Sequence, residues 1–136
     1  MDKEQDAIAY ARDLVGRDPM ARHLGIDVLA VKKDYARLGL TVRAEYLNAL
    51  DRAHGIIVYA LVDQAIAVAA NASVGSAMLL ESKINYLNGA PQGARLVAEA
   101  VPVARKRRIG LWSVMVRQEE NNLLIAAAQG TSYHKE

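Results

Sequence analysis

The 136-residue chain has no cysteine and no phenylalanine, one tryptophan and three prolines. Without cysteine there is no disulfide scaffold, no zinc–thiolate centre and no thiol nucleophile. The same absence fits a reducing compartment, and the expectation is a cytoplasmic protein. With so few aromatics, the core must be assembled from small and branched aliphatics, and 24 residues are alanine. A strong charge of either sign is also missing: 17 Lys and Arg against 15 Asp and Glu give a net charge of +2. That is far from the dense basic stripe of a nucleic-acid-binding domain, so no nucleic-acid partner is expected. A hydrophobic share of 52% excludes intrinsic disorder. The opening residues include Asp2, Lys3, Glu4 and Asp6, so no secretory leader is expected.

What is present fits one domain over residues 1–136, with residues 1–18 as a helical N-terminal extension. The apolar surplus predicts a subunit interface. The most apolar stretch runs from Gly55 to Ala70, with Asp63 and Gln64 as its strongly polar side chains. As a helix it would span about 24 Å, short of the ~30 Å hydrocarbon core of a membrane. A charged side chain near its middle would be costly there. A helix buried in a folded domain is the expectation, with no membrane partner.

Around this helix the periodicity changes. Ala7, Tyr10, Ala11, Leu14 and Val15 recur at helical spacing and predict a first helix stopping at Gly16. Asp18-Pro19 reads as the start of a short helix ending at Gly25. Val28 to Lys32 and the alternating Leu38, Leu40 and Val42 predict paired strands turning at Lys33-Asp34. Beyond the long helix, Met78, Leu80, Ser82, Ile84 and Tyr86 are expected on one face of a strand. Strands over 96–104, 109–118 and 123–133 follow, and the short connections suggest an antiparallel meander. The fold class is α+β: a long helix wrapped by an antiparallel sheet of five or six strands.

Two features carry chemistry. Asp63 is a carboxylate in a helix with little polar surface; it is either a perturbed functional acid or part of a solvent-facing stripe with Gln64. The segment from Asn48 to Gly55 places a polar loop, His54 and a glycine at the start of the same helix. Unpaired N–H groups at such a terminus can stabilise an oxyanion. The three histidines stand at 23, 54 and 134, without metal-ligand spacing, so no metal site is expected.

The set Asn48, His54-Gly55-Ile56, Leu61-Val62-Asp63, Ala67 and Ala70-Asn71 resembles the hotdog-fold thioesterases of the phenylacetate-degradation (PaaI-like) type. His23 to Val28 and Ser82 to Leu87 extend the likeness, which covers about residues 19 to 133. The resemblance implies a hotdog fold, a homodimer that commonly pairs into a homotetramer, and hydrolysis of acyl-coenzyme A thioesters. Coenzyme A is then part of the substrate, and no separate cofactor is implied. The catalytic residues would be Asp63, Gly55, His54 and Asn48. Gln64, Ile56 and Ser82 would border the substrate, and Arg105, Arg107 and Arg108 would hold the nucleotide phosphates. Two positions depart from the family pattern: Ile56 replaces a second glycine, and Gln64 replaces a small hydroxyl residue. A hotdog dehydratase or hydratase, and a non-catalytic acyl-CoA-binding module, are the alternative functions.

Spacing adds a constraint. Nine residues at ~100° each place His54 and Asp63 on opposite sides of an ideal helix, about 13 Å apart in rise. One helix cannot bring both to one thioester. The family pairs the Asp of one subunit with the His-Gly of its partner, which fits this constraint.

Overall fold

The computed structural model describes residues 2–73 and 76–135. Helix α1 spans Lys3–Tyr10 and continues into a π-helical turn at Ala11–Val15. The expected single helix therefore loosens in its last turn, where the Gly16 N–H reaches back to the Ala11 carbonyl (2.8 Å). Helix α2 spans Pro19–Leu24 as expected. The Asp18 carboxylate caps it by accepting from the Ala21 N–H at 3.0 Å, and Gly25 ends it in the left-handed region with φ 73°, which glycine adopts without steric cost.

Strands β1 (Asp27–Lys32) and β2 (Tyr35–Thr41) form a hairpin. A polar loop leads to α3, Gly55–Asn71. Four strands complete the chain: β3 (Ala77–Tyr86), β4 (Arg95–Arg105), β5 (Ile109–Gln118) and β6 (Leu123–His134). They form one antiparallel sheet with β1 and β2, in the order β1-β2-β4-β5-β6-β3. Only β4-β5-β6 is a meander. β3 crosses to the far edge and pairs with β6 instead of β4, because its connection to β4 is no tight hairpin. That connection runs beneath the start of α3, where Ala90 is buried and its carbonyl accepts from the Ala53 N–H.

The sheet curves around α3. Leu61, Val62, Ala65, Ile66, Val68 and Ala69 of the helix are buried against Leu38, Leu40, Leu96, Trp112, Val114 and Val116 of the sheet. Alanines line the rest of this interface, with Ala98, Ala100 and Ala126 fully covered, so backbones approach closely and the missing phenylalanines are not needed. Burying a Leu or Ile side chain contributes roughly 1.5–3 kcal/mol, which makes the helix–sheet contact the main stabilising feature.

One expected strand face is wrong. Met78, Leu80, Ser82, Ile84 and Tyr86 do not share a face, because β3 bulges between Leu79 and Glu81. Two residues there oppose one on β6, and the alternation shifts by one. Leu79 pairs with the inward-facing Ser132, and Ser82 and Ile84 with Gly130 and Ala128. Met78 and Leu80 are left exposed, at 56% and 58%.

Candidate active site

The start of α3 is built by its neighbours. The His54 Nδ1 accepts from the Ile56 N–H at 3.1 Å, so the imidazole is itself the helix cap. The loop before it is a closed turn: the Asn48 Oδ1 accepts from the N–H groups of Leu50 (2.9 Å) and Arg52 (3.1 Å). Asn48 is thus committed first to shaping its loop. The Tyr86 hydroxyl, at the end of β3, donates to the Gly55 carbonyl at 3.1 Å. A Cβ at position 55 would stand 3.2 Å from the Tyr86 ring. A side chain at position 55 would need the ring to give by a few tenths of an ångström. Asn48, Gly55 and Tyr86 line one cleft of about 380 Å³.

Asp63 lines a second cleft of about 510 Å³, with Asp18, Met20, Leu24, Ile56 and Tyr59 among its walls. Ile56, Tyr59, Ala60 and Asp63 follow the three- and four-residue spacing of one helix face. Asp63 is exposed in the single subunit, yet the surrounding protein thins its water. That desolvation pushes the Asp63 carboxyl above the usual carboxylate range, and the negative charge of Asp18 adds to it. Tyr86 borders both clefts. Within one chain Gly55 and Asp63 line separate clefts.

Of the other expected site residues, Ile56 and Gln64 line the Asp63 cleft, whereas Ser82, Arg105, Arg107 and Arg108 are not among its walls. Gln64 is buried, and its Nε2 donates to the Val15 carbonyl at 2.7 Å. It satisfies a carbonyl at the end of the π turn and ties the N-terminal segment to α3, so it forms no solvent stripe with Asp63. Ile56 is 69% exposed at the mouth of the Asp63 cleft. Ser82 lies in β3, where its carbonyl accepts from the Tyr59 hydroxyl at 2.9 Å. Arg105 folds back onto the protein: it pairs with Asp34 at 3.3 Å and donates to Ser73 Oγ and to the Lys106 and Ile109 carbonyls. Arg107 and Arg108 are exposed in the turn beyond it. This turn adjoins Ser73, past the C-terminal end of α3, about 25 Å along the helix from Gly55.

Sequence reasoning passed over two residues of the site. Tyr86 was a strand residue only; its contact with Gly55 spans 31 positions, and no local pattern reports it. Asp18 was legible as a cap, but its place in the Asp63 cleft depends on how α2 lies across α3. Among the described residues, no group of three or more His, Asp or Glu side chains is placed to hold a metal ion, and no helix is long and apolar enough to cross a membrane.

A long helix in a curved antiparallel sheet, with an acid on the helix and a glycine at its start, defines the hotdog class of thioester-hydrolysing domains. Residues 50–125 match the thioesterase superfamily. A curated Archaeoglobus fulgidus protein, provisionally described as an esterase, is 35% identical over 96% of this chain and 85% of its own length. The Escherichia coli acyl-coenzyme A thioesterase PaaI is 26% identical over 90% of this chain and 87% of its own. The solved E. coli PaaI structure covers 99% of this chain and 97% of its own with a TM-score of 0.91, and establishes the shared fold. A mutant structure of the phenylacetic acid degradation protein PaaI from Thermus thermophilus is 36% identical, with a TM-score of 0.82, over 87% of this chain and 100% of its own. The chain belongs to the thioesterase superfamily and is a PaaI-like thioester hydrolase.

Proposed function

We propose that the substrate is an acyl-coenzyme A ester, cleaved to free acid and coenzyme A at a site shared by two subunits. The observation that carries this reading is the separation, within one chain, of the Gly55 terminus from the Asp63 cleft. A two-fold partner supplies the missing half of each site. The edge strand β3 favours such a partner: it is ten residues long, unpaired on one side in the single chain, with Met78 and Leu80 exposed beside it. The relationship to the E. coli acyl-coenzyme A thioesterase supports the choice of ester.

In this reading the Gly55 N–H polarises the thioester carbonyl and stabilises the oxyanion that develops on it. Asp63 of the opposite subunit takes a proton from water as that water attacks the carbonyl carbon; the C–S bond then breaks, and the proton passes from Asp63 to the departing sulfur to release the thiol. The acyl group is aromatic or of medium length and occupies the Asp63 cleft beside Tyr59 and Ile56. Arg107 and Arg108 hold the nucleotide phosphates. The turn they occupy lies far from Gly55 of the same chain, so this role also requires a subunit arrangement that brings it near. A homotetramer follows if the outer sheet face, where Val101, Val103, Ile109 and Met115 are exposed, packs two dimers together. The cytoplasm is the proposed compartment.

The test is release of free thiol from a panel of acyl-CoA esters. The reading expects turnover that Asp63→Asn and Asp63→Ala abolish while the oligomer persists. Near-normal turnover in either purified variant overturns it.

A further inference from the structure

The Asp63 cleft holds a second carboxylate, Asp18, which lies 45 positions away in the chain. Asp18 is not free to swing out, because its Oδ1 accepts from the Ala21 N–H at 3.0 Å as the cap of α2. That helix is pinned: Ala21 is fully buried, and the preceding turn is tied to α3 through Gln64 and Val15. Among the described residues that line the cleft, none is a cation. α3 contributes Tyr59 and the uncharged Gln64 beside Asp63, β3 contributes Tyr86, and the remaining lining is aliphatic. The cleft therefore holds two carboxylates, one of them fixed, and among the described residues that line it no cation offsets them.

We propose that Asp18 is a positioning and specificity residue of the thioesterase site: its fixed carboxylate makes Asp63 a stronger base and turns away acyl groups that end in a carboxylate. The physical basis is like-charge repulsion in a partly desolvated space. A neighbouring negative charge disfavours the ionised form of Asp63 and so raises its affinity for the proton of the attacking water. The shift of Asp63 above the usual carboxylate range, with Asp18 as its second cause, agrees with this geometry. A carboxylate at the far end of an acyl chain would meet the same repulsion with no cation to pair with, and an uncharged chain would not. The substrate class is thus narrowed to esters of uncharged, apolar acyl groups. This inference rests on the acyl-CoA reading above.

The test compares wild type with Asp18→Asn, which keeps the helix cap and removes the charge, and with Asp18→Ser as a second capping variant. Hexanoyl-CoA and adipoyl-CoA serve as probes, since they share chain length and differ in a terminal carboxylate. The expected result has two parts. The acidic limb of kcat/KM for hexanoyl-CoA moves to lower pH in both variants, and the preference for hexanoyl-CoA over adipoyl-CoA narrows by about fivefold or more. A residue that only caps α2 would move neither in Asp18→Asn. An unchanged limb and an unchanged ratio, with the wild type active, overturn this inference alone. Failure of the wild type to hydrolyse either ester overturns it together with the acyl-CoA reading.

Discussion

The Tyr86 hydroxyl donates to the Gly55 carbonyl at 3.1 Å, joining the end of the edge strand to the first turn of the central helix. The same ring would crowd a side chain at position 55. The helix terminus proposed to bind the thioester carbonyl is therefore held by the strand that would meet a partner subunit. Gly55→Ala should displace either the ring or the first turn. Turnover is expected to fall at least ~10-fold, in kcat more than in KM, since oxyanion contacts act chiefly in the transition state. Tyr86→Phe keeps the ring and loses only the hydrogen bond, so its loss should be smaller. Steady-state kinetics with one acyl-CoA ester distinguish the two, and equal losses would mean that the hydroxyl rather than the close approach governs the site.

Asp63 carries opposite effects on activity and stability. Its carboxyl lies above the usual range because of desolvation and the Asp18 charge, so its ionised form costs the fold stability at neutral pH. The sign follows from linkage: a raised carboxyl contributes stability below its unfolded pKa and loses it as pH rises through the folded value. Asp63→Asn should lose about 10³-fold or more in turnover and melt higher than wild type at neutral pH. Its advantage should vanish in acid, where the wild-type side chain is protonated in both states. Melting curves across pH check this; a neutral-pH Tm below wild type would contradict it.

Much of the fold around this candidate site was legible in the sequence, for identifiable reasons. The caps at Asp18 and Gly25, the extent of α3 and the β5 limits rest on local rules of turn chemistry and apolar period, and the structure agrees with them. The β3 face failed because a bulge is one inserted residue, which alternation cannot signal when Leu79 and Leu80 are both apolar. The edge position of β3 and the reach of Tyr86 to Gly55 are long-range features. Gln64 was read through its neighbour in sequence, although adjacent helix residues point about 100° apart; it borders the Asp63 cleft, but it is buried and its Nε2 is committed to the Val15 carbonyl.

His134 predicts an acid-sensitive edge. It is buried at the end of β6, bonded to Ser132 Oγ through Nε2 at 2.8 Å, with no partner for Nδ1 among the described residues. Trp112 Nε1 donates to the same hydroxyl at 2.7 Å. Desolvation, then the Arg105 charge, hold the imidazole below its usual value. A lowered histidine costs stability as pH falls below about 6.5, where the unfolded chain takes up the proton and the folded one resists it. The wild-type Tm should drop more steeply between about pH 7 and pH 5.5 than that of His134→Gln. Parallel curves would remove His134 from the account.

The basic turn is expected to divide into two roles. Arg105 bonds to Asp34 and Ser73 with only 20% of its side chain exposed. Arg105→Ala should cost about 1–2 kcal/mol of stability and leave KM little changed. Charge reversal at Arg107 and Arg108 should raise KM for a CoA ester and spare a short thioester that lacks the nucleotide. Equal effects on both substrates would show that the turn does not hold the nucleotide.

The central claim is a site divided between two chains, and subunit complementation tests it most directly. Asp63→Asn and Gly55→Val chains, each inactive alone, are co-expressed in equal amounts so that dimers form at random. A shared site places one intact Asp63 opposite one intact Gly55 in every mixed dimer, and about a quarter of wild-type turnover should return. If both groups served one thioester within a single chain, every site would carry a lesion. Turnover no greater than that of the parent variants would contradict the account.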